Sequence, residues 1–114
     1  NIWSGYYANI LNEAAKASGI KEILYYDFYL DRENKNATYQ SIVLSLSNYL
    51  MTLDDGTQEL YAPTLVIIKD GKVMALDNET AFTKGSLDPE EYWNDYRTGI
   101  KYNTFVTMFK EYLE

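Results

Sequence analysis

Apolar residues follow two different spacings along this chain, and the two spacings separate helices from strands. From about residue 5 to 18 they recur every three or four positions, which predicts a helix with one buried face. Ser18-Gly19 ends this helix, because glycine readily adopts the left-handed conformation of a helix terminus. The same spacing predicts a helix from about Thr38 to Leu50 and a last helix near the C-terminus. The three apolar faces consist of Tyr7, Ile10, Leu11, Ala14 and Ala15; of Tyr39, Ile42, Val43, Leu46 and Leu50; and of Tyr102, Phe105, Val106, Phe109, Tyr112 and Leu113.

Two apolar stretches lack the helical spacing and predict strands. One is Ile23 to Tyr29, and the other is Leu65-Val66-Ile67-Ile68, whose β-branched residues are typical of a strand buried on both faces. Asp70-Gly71 supplies a type I′ hairpin turn, because both residues tolerate a positive φ. Lys72 to Leu76 is therefore expected to return antiparallel. Pro63 lies at the head of the preceding strand, where its missing N–H does least harm to the ladder.

Polar segments separate these elements. Asp31 to Asn36 is expected to be a charged loop, and Asp54-Asp55-Gly56 a turn. Asp77 to Gly99 is expected to be irregular, except for a short helix that begins at Asp88-Pro89-Glu90-Glu91. Helices and strands alternate without a linker or an internal repeat, so residues 1–114 are expected to form a single α/β domain.

Composition and charge exclude several classes of partner. The net charge is −7, from 17 acidic and 10 basic residues, so nucleic acid and anionic lipid are disfavoured as ligands. No apolar run reaches the roughly 20 residues of a transmembrane helix. The 12 tyrosines leave two interpretations: amphipathic side chains at the rim of the core, or an aromatic binding surface.

The absence of cysteine and histidine excludes much chemistry. Thiol exchange, cysteine nucleophiles, Cys/His zinc sites and Ser-His-Asp triads all require one of these residues. The carboxylates of Asp54, Asp55 and Glu59 are interpreted as solvated groups around a turn. The sequence thus predicts no cofactor and no metal site, and it favours a binding protein over an enzyme.

The segment from Ala62-Pro63 through Leu65-Val66-Ile67-Ile68 to Asp70-Gly71-Lys72-Val73 resembles the cis-proline strand, turn and strand of the thioredoxin-like family. The order helix, strand, helix, hairpin and helix is also that of the family after its first strand. Counting back from Ile10–Ala15 places the two positions of the family's Cys-x-x-Cys motif at Asn1 and Ser4. The resemblance implies a mixed sheet with flanking helices, with Pro63 cis and facing the helix start.

The chain departs from the family at both cysteine positions. Thiol-disulfide exchange proceeds by attack of a thiolate, and neither Asn1 nor Ser4 can supply one. Two hypotheses follow: a naturally redox-inactive domain, or a thiol-disulfide oxidoreductase whose cysteines have been substituted. Serine is the usual replacement for cysteine, whereas asparagine fits such a substitution poorly.

A second departure concerns the sheet, because the family's first strand precedes the first helix and nothing stands before Asn1. Upstream residues, another chain or a rearranged sheet could each supply a neighbour for Leu65–Ile68. The first explanation is favoured.

The resemblance also implies a binding surface, because the residue before the family's cis-proline pairs with extended peptides. By this comparison Ala62 offers a β-type contact, and Ile2, Trp3 and Pro63 form an apolar rim. The alternative is that Trp3 packs as a cap over the helix start and binds nothing. Tyr25-Tyr26-Asp27 and the terminal Glu-Tyr-Leu-Glu resemble thioredoxin-like proteins of Gram-positive anaerobes, many of them secreted or lipid-anchored, which favours an extracytoplasmic location.

Overall fold

Five helices and one antiparallel hairpin make up the regular structure of the computed structural model, which describes residues 2–79 and 87–113. The fold class is therefore mixed α/β. In chain order the elements are α1 (Ile2–Ala17), α2 (Tyr29–Asn34), α3 (Ala37–Ser45), β1 (Thr64–Lys69), β2 (Lys72–Asn78), α4 (Pro89–Tyr92) and α5 (Asp95–Leu113).

The first predicted helix is confirmed, and it begins a few residues earlier than expected, at Ile2. It ends where glycine was expected to end it. Gly19 has a φ of 76°, and the Ile20 N–H donates to the Ala15 carbonyl at 2.8 Å while the Gly19 N–H donates to Lys16. These two bonds satisfy carbonyls that the last turn would otherwise leave unpaired.

The predicted hairpin is also confirmed. Asp70 and Gly71 have φ values of 54° and 78°, as a type I′ turn requires, and they connect the pair Lys69 and Lys72. β2 extends to Asn78, two residues beyond the predicted strand.

The prediction that Leu65–Ile68 is buried on both faces is wrong. Ile67 is 4% exposed, but the adjacent Ile68 is 60% exposed. Among the described residues the sheet has two strands, and the β1–β2 register shifts between Ile67 and Ile68. Successive side chains of a strand point to opposite faces, so one apolar run supplies both a core residue and a surface residue.

The predicted strand at Ile23–Tyr29 and the predicted loop at Asp31–Asn36 are both wrong. Residues 21–28 form no regular structure, and α2 occupies Tyr29–Asn34. The Asp27 carboxylate accepts the Tyr29 N–H at 3.3 Å, and the Phe28 carbonyl accepts the Arg32 N–H at 2.8 Å. Bonds from an aspartate to nearby backbone compete with strand formation and favour the start of a helix.

α3 begins close to its predicted position and ends earlier than the predicted Leu50. The Asn36 side chain accepts the Tyr39 N–H at 2.9 Å and so caps the helix. Beyond Ser45 the chain turns, and Gln58 donates from Nε2 to the carbonyls of Ser47 and Leu50 at 2.9 Å each. The Gln58 side chain thus satisfies carbonyls in the turn that follows α3.

The segment expected to be irregular as far as Gly99 is more ordered at its end. The short helix at Asp88 is confirmed: the Asp88 carboxylate accepts the Glu91 N–H at 2.8 Å, and Pro89 opens α4. α5 begins at Asp95 because the Asn94 side chain accepts the Arg97 N–H at 2.9 Å. The correction is that residues 95–99 are helical.

The chain divides into two compact units. The terminal unit comprises Asn1–Ile23 and Ala62–Glu114, and the middle unit comprises Leu24–Tyr61. The core of the terminal unit lies mainly between α1 and α5, and Phe105 is fully buried. The buried core residues of the terminal unit are Tyr7, Ile10, Leu11, Ala14, Ala15, Ile67, Trp93, Phe105 and Phe109; those of the middle unit are Tyr39, Leu46 and Leu60.

None of the described helices combines the length and the apolar character needed to cross a membrane.

Candidate functional site

The sequence predicts a binding site at the start of α1 and in the loop around Pro63, and the side chains of this site differ in their exposure to solvent. Ala62 is exposed, Pro63 is buried, and Trp3 and Ser4 are partly exposed on the first turn of α1. The Ala62–Pro63 peptide bond is cis. Asn1 and the side chain of Ile2 lie outside the part of the chain that is described.

Contacts fix two of these residues. The Pro63 carbonyl accepts the Glu79 N–H at 3.3 Å, which joins the open end of the β1–β2 hairpin. The Trp3 ring meets the Tyr92 ring edge-on at 5.6 Å between centroids, a favourable geometry for aromatic pairs. Trp3 is thereby held against α4 while part of its surface stays exposed. Among Trp3, Ser4, Ala62 and Pro63, whose exposure is described, Ala62 has the greatest access to solvent.

A largely buried polar cluster, comprising Tyr7, Asp77, Glu79, Tyr92 and Lys101, adjoins these residues, because Tyr92 contacts Trp3 and Glu79 bonds to Pro63. Lys101 is 7% exposed, and its Nζ lies 2.8 Å from Asp77 Oδ2 and 2.8 Å from Glu79 Oε1. The Tyr7 hydroxyl donates to Asp77 Oδ2 at 2.7 Å, and the Tyr92 hydroxyl donates to Glu79 Oε2. The ammonium and both phenols therefore have carboxylate partners.

Four of the five elements described in the terminal unit contribute residues to the cluster. Lys101 precedes Phe105 by four residues, so both lie on the buried face of α5. Its ammonium lies 5.8 Å from the ring centroids of Tyr7 and Phe105, a distance typical of cation–π contacts. Asp77 lies in β2, with Glu79 just beyond the strand. The cluster therefore connects α1, β2, α4 and α5.

The electrostatics keep both tyrosines protonated at neutral pH. Burial raises the pKa of Tyr7 far above its usual value, and the charge and hydrogen bond of Asp77 raise it further; a backbone hydrogen bond from Leu65 acts in the opposite direction. Partial burial and the hydrogen bond to Glu79 raise the pKa of Tyr92 to about 12, although the Arg97 charge lowers it. Both phenols therefore act as permanent donors to the carboxylates.

This cluster is suited to structure rather than to a reaction. Its ammonium is bound by two carboxylates and is nearly inaccessible, so no free nucleophile or open acid–base pair faces solvent. Among residues 2–79 and 87–113, no group of three or more carboxylates is arranged to hold a metal ion. The sequence predictions missed the cluster. The one signal was Lys101 on an otherwise apolar helix face.

The middle unit has a different constellation, in which aromatic rings surround a cation. The Arg32 guanidinium lies 5.6 Å from the Phe28 ring, 5.9 Å from Tyr29 and 5.5 Å from Tyr61. Its NH1 group donates to the Leu60 carbonyl at 3.1 Å, and the Leu60 N–H donates to the buried Tyr39 hydroxyl at 2.9 Å. These contacts connect α2 and α3 to the last residues of the unit.

Tyr29, near this cation, and Tyr26, in the same unit, are exposed, unlike Tyr7. Tyr26 donates from its hydroxyl to Asp31 Oδ2 at 2.8 Å. Local desolvation, together with that bond, raises the pKa of Tyr26 to about 12. Both interpretations of the tyrosine excess find examples: Tyr7 and Tyr39 are core residues, whereas Tyr25 and Tyr29 of the middle unit and Tyr96 of α5 are exposed.

Comparisons of this chain with family models, with curated proteins and with solved structures found no match. The thioredoxin-like resemblance therefore stays a prediction made from the residues of this chain.

Proposed function

We propose that this chain is a redox-inactive, thioredoxin-like binding module whose ligand is another protein or an extended peptide. The observation that supports the proposal is the apolar strand β1, which follows the exposed residue Ala62 and carries the exposed side chain of Ile68. No cysteine is present, so disulfide exchange is not open to this sequence. The ligand is expected to bind at the head of β1 and at the start of α1.

Addition of a strand is the binding mode that these residues favour. Within the described residues β2 is the strand that pairs with β1, and a two-stranded sheet is marginal in water. A peptide laid along the sheet would gain main-chain hydrogen bonds and an apolar contact from Ile68. Ala62, which is exposed two residues before β1, offers further main-chain groups. In a thioredoxin-like arrangement Trp3 would border the same peptide.

The experiment is an array of extended peptides probed with the complete chain, followed by fluorescence anisotropy on the peptides that bind. Ile68→Glu should weaken binding by about tenfold or more, because the interface would bury an unpaired charge. Trp3→Ala should weaken binding by about fivefold or more if its ring borders the peptide. Circular dichroism would show that each variant remains folded.

Ile100→Glu is the matched control, because Ile100 is 48% exposed on α5 and lies outside the proposed site. Its affinity for the same peptides should equal that of the unaltered chain. Binding that survives both Ile68→Glu and Trp3→Ala would refute the proposal, and so would an array on which no peptide binds.

A further inference from the structure

We propose that a second surface, in the middle unit, binds a basic amphipathic segment of another protein. We call this surface the aromatic segment and define it as Leu24, Tyr25, Tyr26, Tyr29 and Leu30. Leu24 is 85% exposed, Tyr25 68%, Tyr29 59% and Leu30 69%. Single exposed apolar residues are ordinary, but five within seven positions form a patch of the kind found at protein interfaces.

The aromatic segment is held in place although it contains no strand. Tyr26 bonds to Asp31 at 2.8 Å, and its ring lies 5.8 Å from the Phe28 ring. Arg32 contacts Phe28 and Tyr29 from within the same unit. These contacts restrict the rings before a ligand arrives, which lowers the entropic cost of binding. Tyrosine also has few rotatable bonds, so each ring adds contact area at small cost.

The charge of the middle unit specifies the chemistry of the partner. Residues 24–61 contain six acidic side chains and two basic ones, Arg32 and Lys35. Arg32 is already engaged by aromatic rings and by the Leu60 carbonyl. A partner helix with an apolar face flanked by basic residues would cover the leucines, place its cations over tyrosine rings and meet Asp27 and Glu33. Such a partner would complement both the apolar side chains and the carboxylates of this surface.

Other occupants are disfavoured by the same charges. A second copy of this chain would bring two acidic units together, and like charges across an interface cost several kcal/mol. An anionic lipid surface would be repelled for the same reason. A basic, amphipathic protein segment is the occupant that satisfies both the exposed rings and the carboxylates.

The test measures binding of two synthetic helical peptides to the complete chain by isothermal titration calorimetry. One peptide is composed of lysine and leucine in an amphipathic pattern, and the other has glutamate in place of every lysine. The lysine peptide should bind and the glutamate peptide should not. The double variant Leu24→Asn/Tyr29→Ala, which leaves the net charge unchanged, should weaken binding of the lysine peptide by about tenfold or more.

The matched control is Ile100→Asn/Tyr96→Ala, which removes an exposed aliphatic side chain and an exposed ring from α5. Its affinity for the lysine peptide should stay unchanged. Leu24→Asn alone should show part of the loss, and the high exposure of Leu24 keeps that variant folded. Equal binding by the double variant and the unaltered chain would refute the proposal, because it would mean that net charge alone attracts the peptide.

Two further results would also refute it: binding of the glutamate peptide, or a dimer seen in sedimentation that Leu24→Asn abolishes. The residues tested here differ from Ile68 and Trp3, so failure of this proposal leaves the function proposed for β1 unaffected.

Discussion

Among the described residues, most aromatic rings of the terminal unit are buried or partly buried, whereas those of the middle unit are more often exposed. In the terminal unit Tyr7 packs edge-on against Phe105 at 5.2 Å, and both rings are buried. In the middle unit Tyr25 and Tyr29 remain mostly exposed. The terminal unit packs helices of 16 and 19 residues against each other, whereas the middle unit has helices of 6 and 9 residues. Short elements cover fewer rings than long ones, but Tyr39 is buried on α3 and Tyr96 is exposed on α5, so element length influences exposure without deciding it alone.

The two units also treat a cation differently. Lys101 is buried and pairs with two carboxylates, whereas Arg32 lies among rings and donates to a carbonyl. A buried charge is costly unless its partners satisfy it. Loss of one member of the polar cluster should therefore lower the free energy of unfolding strongly. A partly exposed cation keeps some hydration, so loss of a contact to Arg32 should lower the free energy of unfolding less. Substitutions in each unit, made in the complete chain and followed by stability measurements, can test this difference.

The largest effect is expected from Lys101→Met. This change keeps the apolar stem but leaves the largely buried carboxylates of Asp77 and Glu79 without their cation. Breaking one side of a buried pair typically costs about 3 to 5 kcal/mol of unfolding free energy. Urea denaturation of the complete chain would measure the loss. Lys110→Met, an exposed position on the same helix, should change the unfolding free energy by no more than about 0.5 kcal/mol. Equal values for the two variants would mean that the polar cluster adds nothing to stability.

A smaller effect is expected from Tyr7→Phe. The variant loses a hydrogen bond to a charged carboxylate, which is worth about 1.5 to 3 kcal/mol at neutral pH. The pKa of Tyr7 is raised in the folded state, so its contribution is complete below the unfolded value near 10 and is lost as pH rises above it. The loss amounts to about 1.4 kcal/mol per pH unit for one group.

Urea denaturation at a series of pH values above 10 would measure that slope. The Tyr7→Phe variant should lose stability less steeply than the unaltered chain, because phenylalanine does not ionise. Tyr96→Phe, at an exposed position, should leave the unfolding free energy at neutral pH within about 0.5 kcal/mol. Identical alkaline slopes for the unaltered chain and Tyr7→Phe would contradict the assignment of Tyr7 as a buried donor.

Local signals explain which parts of the fold could be predicted from sequence. Gly19, Asp70-Gly71 and Asp88-Pro89 each determine their conformation within a few residues, so α1, the hairpin and α4 were found correctly. The strand predicted at Ile23–Tyr29 failed because strand preference depends on a pairing partner, which local composition does not contain. Side chains of the same segment favoured a helix at Tyr29 instead.

The candidate sites were less predictable, for a different reason. The pairing of Asp77 with Lys101 joins residues 24 positions apart on different elements, and no spacing rule connects them. The exposed rings of the middle unit were one of two interpretations of the tyrosine content, and composition alone could not choose between them. Ala62, Pro63 and Trp3 came from a family resemblance, so their role awaits the peptide experiment.

The smallest effect is expected from Asn36→Ala in the middle unit, and it tests whether the two units open separately. Asn36 caps α3 through the Tyr39 N–H and donates to Asp31 at 2.7 Å. Loss of such a cap costs about 1 kcal/mol, so exchange of the buried Leu46 amide hydrogen, which bonds to the Ile42 carbonyl, should accelerate about fivefold. Asn48→Ala, at an exposed position of the same unit, should leave that rate unchanged. If the units open independently, the amides of Phe105 and Phe109 should keep their protection. An equal acceleration of amide exchange in α5 would show that both units unfold in one step. The two units would then differ in their packing but not in their unfolding.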